Sequence, residues 1–246
     1  MTISGSRAPG GLRRSWGLFQ AFRREQQDPA ATYGLLATDT ARLIGRYRDL
    51  HGLVAVDVGG GPGYTAEALR DAGAAAFTVD PFEDELSLHG RTPHGAVIGD
   101  GLRLPFPDAA LDVCCTLNAL EHVTEPWSFL DELVRVTVPG GLVFIGVTNW
   151  LSPWGGHETS PWHYLGGTRA ARRYETRTGH PPKNLYGESL FKVGVGETLR
   201  WAEEQPGVAV LDAFPRYYPR WCRPIVHVPG VREVVTWNLA LVLERR

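Results

Sequence analysis

The chain of 246 residues is short of the features that would commit it to several large classes of protein. It has three cysteines, two of them adjacent at Cys114 and Cys115 within an apolar run. That arrangement provides neither a disulfide framework nor a spaced metal motif, and a reducing cytoplasm fits it best. No apolar run approaches the roughly 18 residues of a membrane span, and no signal-type apolar stretch follows the N-terminal arginines. Charge of one sign is not in excess: 25 Lys and Arg against 27 Asp and Glu give a net charge of -2, so no overall field favours nucleic acid. Lysine is confined to Lys183 and Lys192. The sequence therefore has no Tyr-x-x-x-Lys pair of the short-chain reductase kind and no G-x-x-x-x-G-K-[ST] phosphate loop.

What is present is a composition of 43% hydrophobic and 21% charged residues, which suits one substantial core carrying elaborations. Residues 1 to 11 are expected to be mobile. Leu12, Trp16, Phe19 and Phe22 then fall on one face of a helical pattern ringed by Arg13, Arg14, Arg23 and Arg24. Asp28 followed by Pro29 signals a second helix start. Strand and helix signals alternate from there: strands at 53 to 58, 75 to 79, near 98, 111 to 117 and 142 to 148, with helices at 64 to 71 and 127 to 136. The Pro139-Gly140-Gly141 run reads as the turn before the 142 to 148 strand. From about Trp150 to Lys192 the rhythm fails and an insertion is expected. A helix near 196 to 204 and strands near 208 to 213 and 235 to 243 complete the sheet.

This alternation specifies an α/β fold, a doubly wound and mainly parallel seven-stranded sheet of the Rossmann-like type. Residues 1 to 50 are expected to form an N-terminal helical lid and 51 to 149 a cofactor-binding core. Residues 150 to 194 would be an acceptor-facing insertion, and 195 to 246 the end of the sheet.

The stretch Val56-Asp57-Val58-Gly59-Gly60-Gly61-Pro62-Gly63-Tyr64 joins the first strand to a helix, where missing side chains let backbone approach a ligand. Asp80 ends the second strand at the offset expected of an acid that hydrogen-bonds ribose hydroxyls. Gly61 to Ala66 also fits the G-x-G-x-x-A dinucleotide fingerprint, so a nicotinamide-dependent oxidoreductase and a non-catalytic cofactor-binding protein stand as alternatives.

Asp57-Val58-Gly59-Gly60-Gly61-Pro62-Gly63 resembles the D/E-x-G-x-G-x-G first motif of class I S-adenosylmethionine-dependent methyltransferases. Asp100 to Phe106, Leu111-Asp112-Val113, Asn118 to Val123 and Leu133 to Gly141 are similar to the family's later motifs, in order, and point to its type 11 subgroup. The resemblance implies an enzyme using S-adenosylmethionine, with Gly59, Gly61 and Gly63 near the amino-acid end of the cofactor and Asp57 orienting the loop. It further implies Asp80 on the ribose, Asp100, Gly101 and Leu102 at the adenine, and Asn118 beneath the methionine portion. A purely structural role stays open for Asp57, Asp100 and Asn118. His122 reads as a helix-start histidine bonded to backbone, with a base role as the alternative.

The sulfonium already activates the methyl group, so catalysis is mainly positioning, and a base is needed only when the nucleophile must lose a proton. The acceptor is expected to be an oxygen of a small molecule, sugar or lipid. His157 and His163 are the candidate general bases. No metal site is expected, because their spacing is not H-E-x-x-H and Pro161 breaks any helix between them. Trp150, Trp154, Trp162, Tyr164, Tyr217, Tyr218 and Trp221 are read either as an acceptor pocket or as an aromatic anchor of the insertion. Arg169, Arg172, Arg173 and Arg177 read as a solvated helix face, with an acidic acceptor group as the alternative. No nucleic-acid partner and no membrane span are expected. The basic N-terminal helix reads as a lid over the cofactor, with peripheral membrane contact and plain packing as the alternatives.

Overall fold

The computed structural model describes residues 11–25, 27–91 and 93–246. The tail expected to be mobile lies, up to residue 10, outside the described residues. In chain order the elements are α1 (Leu12–Arg24), α2 (Pro29–Ile44), β1 (Val54–Val58), α3 (Tyr64–Asp71), β2 (Ala75–Asp80), α4 (Glu83–Leu86), β3 (Ala96–Ile98), β4 (Leu111–Leu117), α5 (Pro126–Val136) and β5 (Thr137–Thr148). They continue with α6 (Gly167–Thr178), α7 (Val195–Glu204), β6 (Val208–Pro215), α8 (Val231–Val235) and β7 (Asn238–Arg245). The seven strands form one sheet in the order β3-β2-β1-β4-β5-β7-β6, with β7 antiparallel to both neighbours and the other pairs parallel. This is the doubly wound sheet that the alternating pattern specifies.

Strands covered on both faces need apolar residues at every position, and side-chain parity then assigns each residue to a face. Val56, Val58, Cys114, Val143 and Ile145 pack into one core cluster, with Phe129, Leu130 and Leu133 of α5. Ala55, Val113, Cys115, Leu142 and Phe144, their neighbours along the same strands, pack on the opposite side with Leu43 and Ile44 of α2 and Leu69 of α3. Each fully buried Leu or Phe in these layers contributes about 1.5–3 kcal/mol by leaving water.

Three expectations are corrected. The Pro139-Gly140-Gly141 segment is not a turn ahead of a strand. It is an irregularity inside β5, where the register moves from Leu111 opposite Thr137 to Val113 opposite Leu142. The insertion is more regular than expected: α6 runs through it for 12 residues, burying Gly167 and Ala170. The apolar face of α1 is rotated, because Leu18 is its buried residue, with Phe19 and Phe22 packed on Tyr217 and Trp237, whereas Leu12 and Trp16 are exposed. The cause is Arg14, which turns inward so that its Nε donates to Asp39 Oδ1 of α2 at 2.6 Å. The second helix starts as expected, with Asp28 Oδ1 accepting from the Ala31 amide at 3.0 Å and Pro29 in the first turn. No helix among the described residues is long and apolar enough to cross a membrane.

Candidate active site

The turn between β1 and α3 is held open by backbone geometry that glycine tolerates. Gly59, Gly61 and Gly63 have φ of 72°, 45° and 74°, in the left-handed region. A Cβ on Gly59 would lie 2.5 Å from the Ala119 Cβ, and one on Gly63 would lie 2.7 Å from the Pro93 Cβ. Beneath the turn, the Asp57 carboxylate fills the space that a Cβ on Gly60 would need, with Oδ2 at 2.4 Å. Asp57 is thus packed under the loop, hydrogen-bonded by the Thr65 side chain.

Burial pushes the Asp57 carboxyl up to about 7, against the opposing influence of Thr65, Cys115 and the Arg216 charge. The folded state therefore holds a proton that the unfolded chain has lost above its ordinary carboxylate range near 4. The stability that Asp57 contributes is full below that range and falls as pH rises towards 7, by up to about 1.4 kcal/mol per pH unit. In melts of the wild type and Asp57→Asn, the difference is expected to move against the wild type between about pH 4 and pH 7 and to level off outside that window. A difference that does not vary with pH would contradict this assignment.

Asp80 closes the other side of the turn. Its Oδ2 accepts from the Gly61 amide at 3.1 Å and its Oδ1 from the Phe82 amide at 3.1 Å, while burial raises the carboxyl. A carboxylate has about four acceptor sites, so two such bonds leave lone pairs for a diol. The arrangement fits a ribose-bearing cofactor lying along the glycine turn.

Asp100 is exposed and its Oδ1 accepts from the Leu102 amide at 2.9 Å, which shapes the loop after β3. Gly101 is buried, and a Cβ there would lie 2.3 Å from the Phe129 ring, so the loop can sit this close to α5 only without a side chain. Asn118 follows β4 at φ 54°, its Oδ1 accepting from Asn238 Nδ2 at 2.7 Å. These groups all lie past the carboxyl ends of the parallel strands, where ligands bind in open α/β sheets.

The two candidate bases separate. His163 is 1% exposed, with Nε2 against the Ser152 carbonyl at 3.1 Å, Nδ1 against Ser160 Oγ at 3.4 Å and the ring against Trp150. His157 is in the left-handed region at φ 49°, its Nε2 buried without a partner, and burial pushes it down to about 4. It sits edge-on to His122, ring centroids 5.1 Å apart. Glu121 comes to the same place: its Oε1 accepts from the Thr148 amide at 3.2 Å, while Oε2 is buried and unpartnered.

Sequence reasoning gives Glu121 only as the first acid after Asn118 in the loop after β4, with no site role, and misses Arg216. Arg216 is 2% exposed, with Nη2 donating to Thr40 Oγ1 at 2.5 Å and Nε without a partner. An arginine directly after the apolar strand β6 was a signal available for it. The proposed aromatic pocket divides in two: Trp154 stacks on Trp237 with Tyr217 and Phe22 near α1, while Trp150 packs on Tyr186 and His163. Trp162 lies under Arg173 at 3.8 Å, and Trp221 is exposed. Arg169, Arg172, Arg173 and Arg177 all stand on the exposed side of α6.

Comparison with known proteins agrees with this geometry. The methyltransferase-domain family profile matches residues 56–145. A protein of Mycobacterium tuberculosis named an uncharacterized methyltransferase is 48% identical over 242 residues, covering 94% of each chain. A second of that name, from Mycobacterium marinum, is 46% identical over 96% of this chain and 95% of its own. Among solved structures, a TehB-like S-adenosylmethionine-dependent methyltransferase from Corynebacterium glutamicum shares the fold at a TM-score of 0.55 and 18% identity, over 95% of this chain and 99% of that one.

Proposed function

This chain belongs to the S-adenosylmethionine-dependent methyltransferases, and we propose that it methylates an oxygen of a small molecule, sugar or lipid at the carboxyl edge of its sheet. The observation that carries the placement of the cofactor is the Gly61 amide on Asp80 at 3.1 Å, which joins the glycine turn and the ribose acid in one crevice. When bound, S-adenosylmethionine supplies the methyl group from its sulfonium.

The chain's own residues bind and align. Gly59, Gly61 and Gly63 admit the amino-acid end, and Asp57 holds their loop from below. Asp80 accepts the ribose hydroxyls, Asp100, Gly101 and Leu102 border the adenine, and Asn118 lies under the methionine portion. Holding an acceptor in line with the methyl carbon recovers up to about 7–11 kcal/mol of the barrier. α1 and α2 act as the lid: Tyr33 of α2 stacks on Tyr64 at the start of α3, ring centroids 5.9 Å apart, beside the glycine turn. Residues 150 to 194 face the acceptor.

Oxygen is favoured because a hydroxyl must give up a proton, and the polar cluster of Glu121, His122 and His157 beside the loop after β4 offers groups that can assist its loss. His163, with both nitrogens engaged, keeps a positioning role in the insertion. The three buried free cysteines support a reducing, cytoplasmic setting. The test is methyl-labelled S-adenosylmethionine offered with hydroxyl-bearing small molecules, sugars and lipids and with matched amines. Label in an ether product is the expected result, and label found only on nitrogen or carbon would overturn the oxygen reading.

A further inference from the structure

Glu121, His122 and His157 come from two loops that the sequence separates by 35 residues, yet one ligand atom from each lies within 4.8 Å of the other two. Three observations decide what such a cluster does. First, Glu121 is 1% exposed and its Oε2 has no hydrogen-bond donor, a costly condition for a carboxylate unless a cation or proton meets it. Second, His157 Nε2 is likewise buried and unpartnered, on a residue held at φ 49°. Third, His122 Nδ1 lies 2.6 Å from the Ser189 carbonyl. A carbonyl only accepts, so Nδ1 carries the proton and Nε2 presents a lone pair, the orientation in which a backbone carbonyl behind the ring fixes a metal-binding histidine.

We propose that Glu121, His122 and His157 bind one divalent transition-metal ion of the zinc type. Two imidazoles and one carboxylate suit that class, and three protein donors leave at least one position open. Donors about 2.1 Å from zinc lie roughly 3–3.5 Å apart, so the cluster closes slightly on the ion. This site departs from the expectation of no metal, which rests on the spacing of His157 and His163 and on Asn118 preceding Glu121, because the fold brings His157 beside Glu121 and His122.

The location gives the ion a use. Glu121 and His122 follow Ala119, whose Cβ abuts Gly59 of the glycine turn, and the Glu121 Oε1 caps the end of β5 at the Thr148 amide. The cluster therefore stands beside the glycine turn, and an open position on the ion would meet an acceptor there. This role rests on the oxygen-acceptor reading above. An acceptor hydroxyl ligated there loses its proton to water, its lone pair forms the bond to the methyl carbon, and the carbon–sulfur pair returns to sulfur, leaving a thioether.

The test uses the full chain stripped by a chelator and titrated with Zn2+ by calorimetry and with Co2+ by visible absorption. One ion per chain is expected, with Co2+ giving the d–d bands of an imidazole-ligated site. Glu121→Gln, which keeps an acceptor for the Thr148 amide, and His157→Ala are each expected to weaken Zn2+ binding at least about 100-fold, at or beyond the roughly 10–100-fold lost when a group that only orients a ligand is removed. S-adenosylhomocysteine titrated into the same preparations reports separately on the fold and on the cofactor reading, and its affinity is expected to change less than about threefold, under 1 kcal/mol. Absence of stoichiometric metal in the wild type, or Zn2+ binding that both variants retain, would overturn the proposal. Loss of homocysteine-product binding in the wild type would instead overturn the cofactor site.

Discussion

Replacing Asp80 with alanine is expected to weaken S-adenosylhomocysteine binding about 100-fold, measured by calorimetric titration. The Asp80 carboxylate already steadies the turn through the Gly61 and Phe82 amides, and its remaining lone pairs are the natural acceptors for two ribose hydroxyls. Hydrogen bonds to a charged group contribute about 1.5–3 kcal/mol each. Losing most of two such bonds costs about 3 kcal/mol, which is the stated factor. Asp80→Asn keeps one acceptor oxygen and is expected to fall between the two. Wild-type affinity in Asp80→Ala would remove the ribose role.

Gly60→Ala should damage the same site from beneath. The added methyl would lie 2.4 Å from both Asp57 Oδ2 and Thr78 Oγ1, and both side chains are anchored in central strands. Neither can retreat, because Asp57 and Thr78 are opposite each other in the β1–β2 register and buried. Such overpacking costs about 1–3 kcal/mol, and relieving it requires the turn to move. The expected result is a clear fall in melting temperature together with loss of S-adenosylhomocysteine binding. Gly34→Ala is the contrast, since nothing lies within 4 Å of its Cβ position inside α2. It should stabilise the protein by about 0.5–1 kcal/mol through helix propensity. A Gly60→Ala protein that melts and binds as the wild type does would show that the crowding is absent.

Much of the fold was legible because local signals were strong and mutually consistent. The helix at 64 to 71 and the strand at 111 to 117 coincide with α3 and β4, since the first is an amphipathic segment starting after Gly63 and the second a mainly apolar run ending before Asn118. The start of β5 was misread because Pro139-Gly140-Gly141 has the composition of a turn. The register across from β4 instead absorbs it as an irregularity, and Gly140 has the positive φ, 75°, that this requires. The face of α1 differs from the expectation because Arg14, one of the arginines ringing the apolar face, turns inward. Its partner Asp39 lies 25 positions away on another helix, beyond what a periodicity argument reaches.

The candidate site divides along the same line. The glycine turn and Asp80 could be read because each acts through backbone geometry or a fixed offset. The cluster of Glu121, His122 and His157 could not, because its members meet only through the packing of the insertion against the loop after β4: Phe191 donates its amide to the Glu121 carbonyl at 2.8 Å, and Ser189 orients His122. Arg216 was hidden in the same way, since its burial depends on α2 closing over the end of β6 through Thr40.

The most direct test of the central claim is a crystal structure of the protein bound to S-adenosylhomocysteine. The ribose hydroxyls are expected within hydrogen-bond reach of the Asp80 carboxylate, with the homocysteine end over Gly59 and Gly61. A bound product whose ribose lies away from Asp80, or that occupies another part of the molecule, would contradict the site.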